Sequence, residues 1–417
     1  MPAPTKIYYG QIASGQWLDW VQVVNVSNED SNVMAIARNE KGETVWSGEK
    51  ILKQFQAWVV PVEPASVKQE LSLVVSSDKG IVGERHCHLG TEVLAFPGAA
   101  PEFRSVGRRL FYPEIVAGCG DYFRVFNISD QPALVSVVVR DINGKIVKQF
   151  GGNPIPPLGF WSFTDNETGN IQGTLEIVST QVVVSERHLH YGELIKGVAV
   201  GQLAQVMDVT PLPMKIYFAQ IAAGTWNDWV QVINHSDEQA KVTAVTRNDQ
   251  GQTTWSTEKA LEPYQGWIIP VDPVADQTDF SLTVSADKHI IGERHCHLEK
   301  QVLPFPGACP EMRTAGRRLF FPELVAGSYD FFRVLNITDQ VSLVNVIARN
   351  TEGIIVNQVS YQIPPFGYLT VPDEATKNVQ GTLEMLSTQI VVAERHLHYG
   401  QQYHPGVAIG QLGQVID

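Results

Sequence analysis

The chain has 417 residues, 44% hydrophobic and 9% aromatic, enough to build cores in more than one domain at roughly 100–200 residues each. Lys+Arg 31 against Asp+Glu 44 leaves a net charge of −13, which excludes a wholesale nucleic-acid or anionic-membrane binder, because either needs a basic face. Four cysteines with no Cys-x-x-Cys pair exclude a disulfide framework, a zinc ribbon and a thioredoxin-type site, and no apolar run reaches the roughly 18 residues of a transmembrane helix.

The opening MPAPTKIYYGQ lacks the basic and apolar stretches of a signal peptide. In the first hundred residues the apolar runs are short, rich in Val, Ile, Tyr, Trp and Phe, and interrupted by turn residues, so they read as strands. They fall near Ile7–Ile12, Trp20–Val26, Asn32–Arg38, Thr44–Ile51, Trp58–Val62, Leu71–Val75 and Ile81–Leu89. Seven strands in one such unit is the count of an immunoglobulin-like sandwich. The pattern then repeats. IYYGQIASGQWLDWVQVVNVS returns as IYFAQIAAGTWNDWVQVINHS, pairing Trp17 with Trp226, and GRRLFYPEIVAG returns as GRRLFFPELVAG. A weaker echo within each half aligns Asn25, Asn127, Asn234 and Asn336, each before x-Ser/Thr. The chain therefore reads as four tandem immunoglobulin-like β-sandwich repeats: residues 1–104 (unit A), 105–212 (B), 213–313 (A′) and 314–417 (B′). The short Pro/Gly junctions FPGAAPEFRSVG, VTPLPM and FPGACPEMRTAG predict packed units, arranged as two pairs related by a pseudo-twofold.

Several recurring residues read as structural. In Arg-[Asn/Asp]-x-x-Gly, at Arg38–Gly42, Arg140–Gly144, Arg247–Gly251 and Arg349–Gly353 (in the last the second residue is Asn350), the glycine supplies the positive φ of a hairpin loop. The Asn-x-Ser/Thr tripeptides fit the glycosylation pattern, but their place at strand ends favours Asx turns. Cys87 and Cys296 stand where Leu189 and Leu397 stand in the other units and read as core, while Cys119 and Cys309 have no cysteine counterparts. Arg108-Arg109 and Arg317-Arg318 read as local ion pairs. Trp17, Trp20, Trp226 and Trp229 read first as buried sandwich tryptophans, with stacking on a glycan as the alternative.

One pattern can carry chemistry. Each unit closes on Glu-Arg-His-x-His: Glu84 with His86 and His88, Glu186 with His188 and His190, Glu293 with His295 and His297, Glu394 with His396 and His398. Eight of the eleven histidines lie here. Strand alternation puts each Glu and both His on one face, with the imidazoles about 6.8 Å apart along the strand, a spacing that can close on one ion. The eight histidines and four glutamates are thus candidate ligands for Zn²⁺ or another divalent transition metal. The competing reading makes the stripe an interface that every unit reuses, with Glu-Arg ladders and hydrogen-bonded imidazoles. A cupin-type site needs a carboxylate a few residues further on. Glu92 provides it in unit A, Glu193 and Glu299 come too early, and HYGQQYH in the last unit has none. Neither His-Glu-x-x-His, Gly-x-Ser-x-Gly nor a phosphate-cradling glycine loop occurs.

The strands DWVQVVN, DYFRVFN, DWVQVIN and DFFRVLN, with the closing VGERHCHL, VSERHLHY, IGERHCHL and VAERHLHY, resemble a family of bacterial surface-associated β-sandwich repeats. That resemblance implies display or adhesion without catalysis, at an extracellular or cell-surface location, and Glu-Arg residues that define the fold. The family's Glu-Arg is usually not followed by His-x-His, which leaves room for a metal site special to this chain. The reading is a non-enzymatic structural or binding protein with a protein partner or self-association, no nucleic acid and no membrane insertion; a metal-dependent enzyme and a glycan-binding module are the alternatives.

Overall fold

The structure is a computed structural model that describes residues 2–62, 69–192, 194–271, 278–400 and 406–417. Strands hold 62% of the described residues and helix 3%, so the architecture is all-β. Among the described residues no helix is long and apolar enough to cross a membrane.

Unit A is a sandwich of two four-stranded antiparallel sheets. Its strands are β1 (Lys6–Ile12), β2 (Leu18–Asn25), β3 (Ser31–Arg38), β4 (Thr44–Leu52), β5 (Ala57–Val59), β6 (Leu71–Ser77), β7 (Ile81–Leu89) and β8 (Glu92–Pro97). One sheet runs β1-β6-β3-β4 and the other β5-β2-β7-β8. The seven expected strands are present within a few residues, and β8 is an eighth. It runs into the Pro/Gly-rich junction and ends on Pro97, which an outer strand tolerates because it needs no ladder N–H there. Alternation on β3 sends Val33, Ala35 and Ala37 inward, where they meet Val21 and Val23 of β2 from the facing sheet. Unit A′ repeats this plan. In B and B′ the counterparts of β6 and β7 fuse into the single 18-residue strands Gly173–His190 and Gly381–His398, which link both sheets of the sandwich.

The strand-end asparagines are turns. Asn25 is fully buried, and its Nδ2 donates to the carbonyls of Glu29, Leu52 and Lys53 while Ser27 Oγ donates to its Oδ1. Asn127, Asn234 and Asn336 repeat the arrangement.

The units close into a circuit, and the hairpin glycines make one set of its joints. Gly42, Gly144, Gly251 and Gly353 have φ of 82°, 84°, 77° and 83°. Each hairpin abuts a loop of the following unit. The joints are marked by Phe160 N–H to Glu40 O, Gly266 N–H to Ile142 O, Tyr368 N–H to Asp249 O, and Ala57 N–H to Thr351 O, the last returning from B′ to A. Arg140, Arg247 and Arg349 lie over the rings of Tyr264, Phe366 and Phe55 across three of these joints. Cores also cross units: Phe320 and Ile416 of B′ lie in the core of A, and Phe111 and Met207 of B lie in the core of A′. At the centre, β8 and its counterparts Ala199–Leu203, Gln301–Pro306 and Ala408–Leu412 pack together, and a largely apolar cavity of about 140 Å³ there is lined from all four units.

Candidate functional site

The Glu-Arg-His-x-His strands lie against this centre, each paired in register with the Asp-led strand of its own unit. Asp19 faces Cys87, Asp121 faces Leu189, Asp228 faces Cys296 and Asp330 faces Leu397. The four arginines are fully buried. Within its unit each holds that aspartate: Arg85 to Asp19 at 2.5 Å, Arg187 to Asp121 at 2.6 Å, Arg395 to Asp330 at 2.7 Å, and Arg294 to Asp228. Each guanidinium then reaches the motif glutamate of the next unit. Arg85 lies 3.1 Å from Glu186, Arg187 3.8 Å from Glu293, Arg294 3.1 Å from Glu394, and Arg395 3.0 Å from Glu84. These four clasps run A to B to A′ to B′ and back to A. Burial opposes each guanidinium charge, yet the surrounding carboxylates outweigh it and hold all four pKa values above the usual arginine range.

The glutamates fall into two kinds. Glu186 and Glu394 accept backbone N–H bonds from Gly10 and Ala219, each at 2.5 Å. Glu84 and Glu293 instead bond the Nε2 atoms of His86 and His295. The other ring nitrogen, Nδ1, meets a neighbouring unit. His86 Nδ1 lies 2.7 Å from Tyr399 Oη and 3.4 Å from Glu323 Oε2, and His295 Nδ1 lies 2.8 Å from Tyr191 Oη and 3.8 Å from Glu114 Oε2. Glu84, His86 and Glu323 thus form one buried cluster, and Glu293, His295 and Glu114 form the other, with the ligand atoms of each within 4.8 Å of one another. Burial works against a charge on His86 and His295, but their flanking glutamates raise both imidazole pKa values.

His188 and His396 have no such cluster. They sit between rings, Phe96 and Tyr122 in one case and Phe305 and Phe331 in the other, and their Nε2 atoms have no hydrogen-bond partner among the described residues. Burial lowers both pKa values well below the ordinary histidine value. With the folded pKa depressed, their contribution to stability is complete above about pH 6.5 and is lost as pH falls, because the unfolded chain takes up protons that the folded chain refuses. Each should cost about 1.4 kcal/mol per pH unit below that point. Stability profiles of wild type and His188→Phe between pH 6.5 and 5 should differ in slope by that amount, and equal slopes would contradict a neutral His188.

The outer histidines are divided as well. His88 and His297 lie on the same side as His86 and His295, with ring centres 6.0 Å apart in both pairs. They rest against Tyr399 and Tyr191. His190 meets Glu92 at 3.3 Å, and His398 meets Gln301 at 2.6 Å. Burial pushes His297 down to about 3 and His398 to about 4. The imidazoles of adjoining units therefore face carboxylates, tyrosines and an amide. Glu92, the acid of the cupin-like spacing, serves unit B, and Glu193 and Gln401–His404 lie outside the described residues.

Sequence reasoning missed Asp19, Asp121, Asp228 and Asp330, the pair Glu114 and Glu323, and the pair Tyr191 and Tyr399. The signal was their repetition within strands already recognised as equivalent. Cys87 and Cys296 are core, and Arg109 and Arg318 pair locally with Glu176 and Glu384, as expected. Trp20 and Trp229 differ from the buried reading: they are 39% and 37% exposed, because they alternate away from the aspartates that their strands turn inward. Trp17 and Trp226 are partly buried, edge-on to His190 and His398.

No family model and no curated protein matches the chain. Among solved structures it is similar to Thermotoga maritima 1070, with 14% identity over 24% of this chain and 98% of that one and a TM-score of 0.22. Dimeric latent PorU from Porphyromonas gingivalis aligns at 9% identity over 80% of this chain and 31% of its own, with a TM-score of 0.14. A glycoside hydrolase family 32 structure from Bifidobacterium adolescentis aligns at 9% identity over 99% and 96%, with a TM-score of 0.16. Likeness at this level does not bear on function.

Proposed function

We propose that the chain is a non-enzymatic structural or binding protein, a closed ring of four β-sandwiches that self-associates through an outer sheet edge. The observation that carries this reading is that all four Glu-Arg pairs are buried and used in joints between units. A motif consumed in this way supports the interface reading over a catalytic centre, which needs substrate to reach it. Contact with other molecules then falls to the outside.

There the counterparts of β4 are edge strands, each paired on one side only among the described residues. Proteins usually guard such edges with charge, proline or irregularity. β4 carries Glu49 and Lys50, Thr253–Leu261 carries Glu258 and Lys259, and Ile146–Ile155 carries Lys148, Gly151, Gly152 and Pro154. Ile355–Ile363, IVNQVSYQI, carries none of these, and beside it Ile354, Ile355 and Val356 are 63%, 51% and 38% exposed. Antiparallel pairing of this edge with its copy gives a twofold dimer, the commonest closed assembly. Sedimentation over a range of concentrations should show a dimer in wild type and a monomer in Ile355→Lys/Gln358→Lys. A wild type that stays monomeric throughout would overturn self-association.

A further inference from the structure

The two Glu-His-Glu clusters differ from the A–B joint in their charge, and the B′–A cluster also holds a carboxylate oxygen without a hydrogen-bond partner among the described residues. Counted with every carboxylate ionised and His86 neutral, the B′–A joint sets Arg395 (+1) against Asp330, Glu84 and Glu323 (−1 each), a sum of −2 that burial opposes. At the B–A′ joint Arg187 (+1) stands against Asp121, Glu293 and Glu114, again −2. Buried charge of this size must be matched, by protons or by a cation. The A–B joint has no such excess: Arg85 meets Asp19 and Glu186, and Glu186 is further served by the Gly10 N–H and the nearby Arg124 guanidinium.

Hydrogen bonding gives an independent indication. If His86 Nε2–H donates to Glu84, Nδ1 presents a lone pair toward Tyr399 and Glu323. Tyr399 has one O–H to give, and Glu323 Oε2, 3% exposed as a residue and 3.4 Å from Nδ1, has no hydrogen-bond partner among the described residues. Its other oxygen is held by Gln380 Nε2 at 3.2 Å, which fixes the carboxylate in this pose. Two acceptor atoms facing each other across 3.4 Å repel unless a positive centre lies between them. Bonds of about 2.0–2.2 Å from a tetrahedral metal would put its ligands about 3.4 Å apart.

We propose that each cluster is a divalent transition-metal site: His86 Nδ1 and Glu323 bind in one, and His295 Nδ1 and Glu114 in the other. Tyr399 and Tyr191, 2.7 and 2.8 Å from the same nitrogens, are hydrogen-bond neighbours of each site and would turn their hydroxyls aside when an ion takes the Nδ1 lone pair. Glu84 and Glu293 act from the outer shell, fixing the imidazole tautomer through Nε2–H as carboxylates do behind many metal-bound histidines. The mixed nitrogen and oxygen donors suit Zn²⁺ or Mn²⁺, and a charge of +2 cancels each sum. The sites tie B′ to A and B to A′, so the metal would act as a structural clamp on two of the four joints. This differs from a His-x-His chelate, because His88 and His297 are not ligands.

The test uses the full chain, both as purified without chelator and after unfolding with chelator and refolding in Zn²⁺, Mn²⁺ or Co²⁺, desalted and assayed by elemental analysis. About two ions per chain are expected, falling to about one in Glu323→Gln and to none in Glu114→Gln/Glu323→Gln. Co²⁺-refolded wild type should show visible d–d absorption that the double variant lacks, while far-ultraviolet circular dichroism confirms that each variant is folded. His88→Ala/His297→Ala should keep about two ions. Metal-free wild type in both preparations, or a double variant that keeps two ions, overturns the proposal. So does a histidine nitrogen spectrum showing His86 and His295 as imidazolium at neutral pH, since protons would then supply the missing charge. Assembly state does not enter any of these readouts, so they stand apart from the sedimentation test.

Discussion

Arg85→Met should destabilise the protein by about 3–5 kcal/mol, because it leaves Asp19 buried without its cation and Glu186 with only Arg124 and the Gly10 N–H. Arg85 bonds Asp19 within unit A and reaches Glu186 in unit B, and all three side chains are at most 1% exposed. Methionine fills much of the same space, so the cost reports unpaired charge more than a cavity. The exposed pair Lys79–Glu29 is the internal contrast, with side chains 35% and 71% exposed. Lys79→Met should cost far less, because solvent screens a surface pair. Urea denaturation of the two variants beside wild type measures the difference. Similar midpoints for both would mean that the clasps do not hold the ring.

Gly251→Val should cost about 3 kcal/mol or more, for two reasons that can be separated. The residue has a φ of 77°, which a β-branched side chain adopts only under strain. A Cβ there would also lie 2.0 Å from the Pro365 carbonyl oxygen of the next unit, against backbone that cannot swing aside. Gly224 has nearly the same φ, 80°, and nothing within 4 Å of the corresponding position. Gly224→Val therefore carries the strain without the collision. The excess loss in Gly251→Val, read from the same denaturation experiment, measures the A′–B′ joint. Equal losses would show that the hairpin does not need its neighbour.

The sequence made the repeating parts of this molecule legible and hid the parts that join them. Alternation fixes which face a residue takes, so the strands of unit A, the core role of Cys87 and the shared side of Glu84, His86 and His88 could all be read. Local chemistry revealed the turns: an asparagine two residues before a hydroxyl, and a glycine closing a hairpin. Strand β8 was missed because its short run sits between Gly90 and the Pro97-Gly98 that opens a junction. The partners of the motif were missed for a different reason. Periodicity reports the direction of a side chain and is silent on what waits there, and Arg395 meets Glu84 across 311 residues of chain. Glu323 and Tyr399 come to His86 from a unit with the same fold, one within a strand and one just past the end of another, and nothing in the local pattern singles them out.

In an open array of repeats, the first and last members each present a bare flank that needs a polar cap, and disorder can enter from either extremity. A circuit whose fourth member grips its first has no such flank. Every sandwich here is braced on two sides, so losing any one of them exposes both its neighbours at once. Melting should consequently spread around the whole ring as a single event, instead of peeling inward one sandwich at a time.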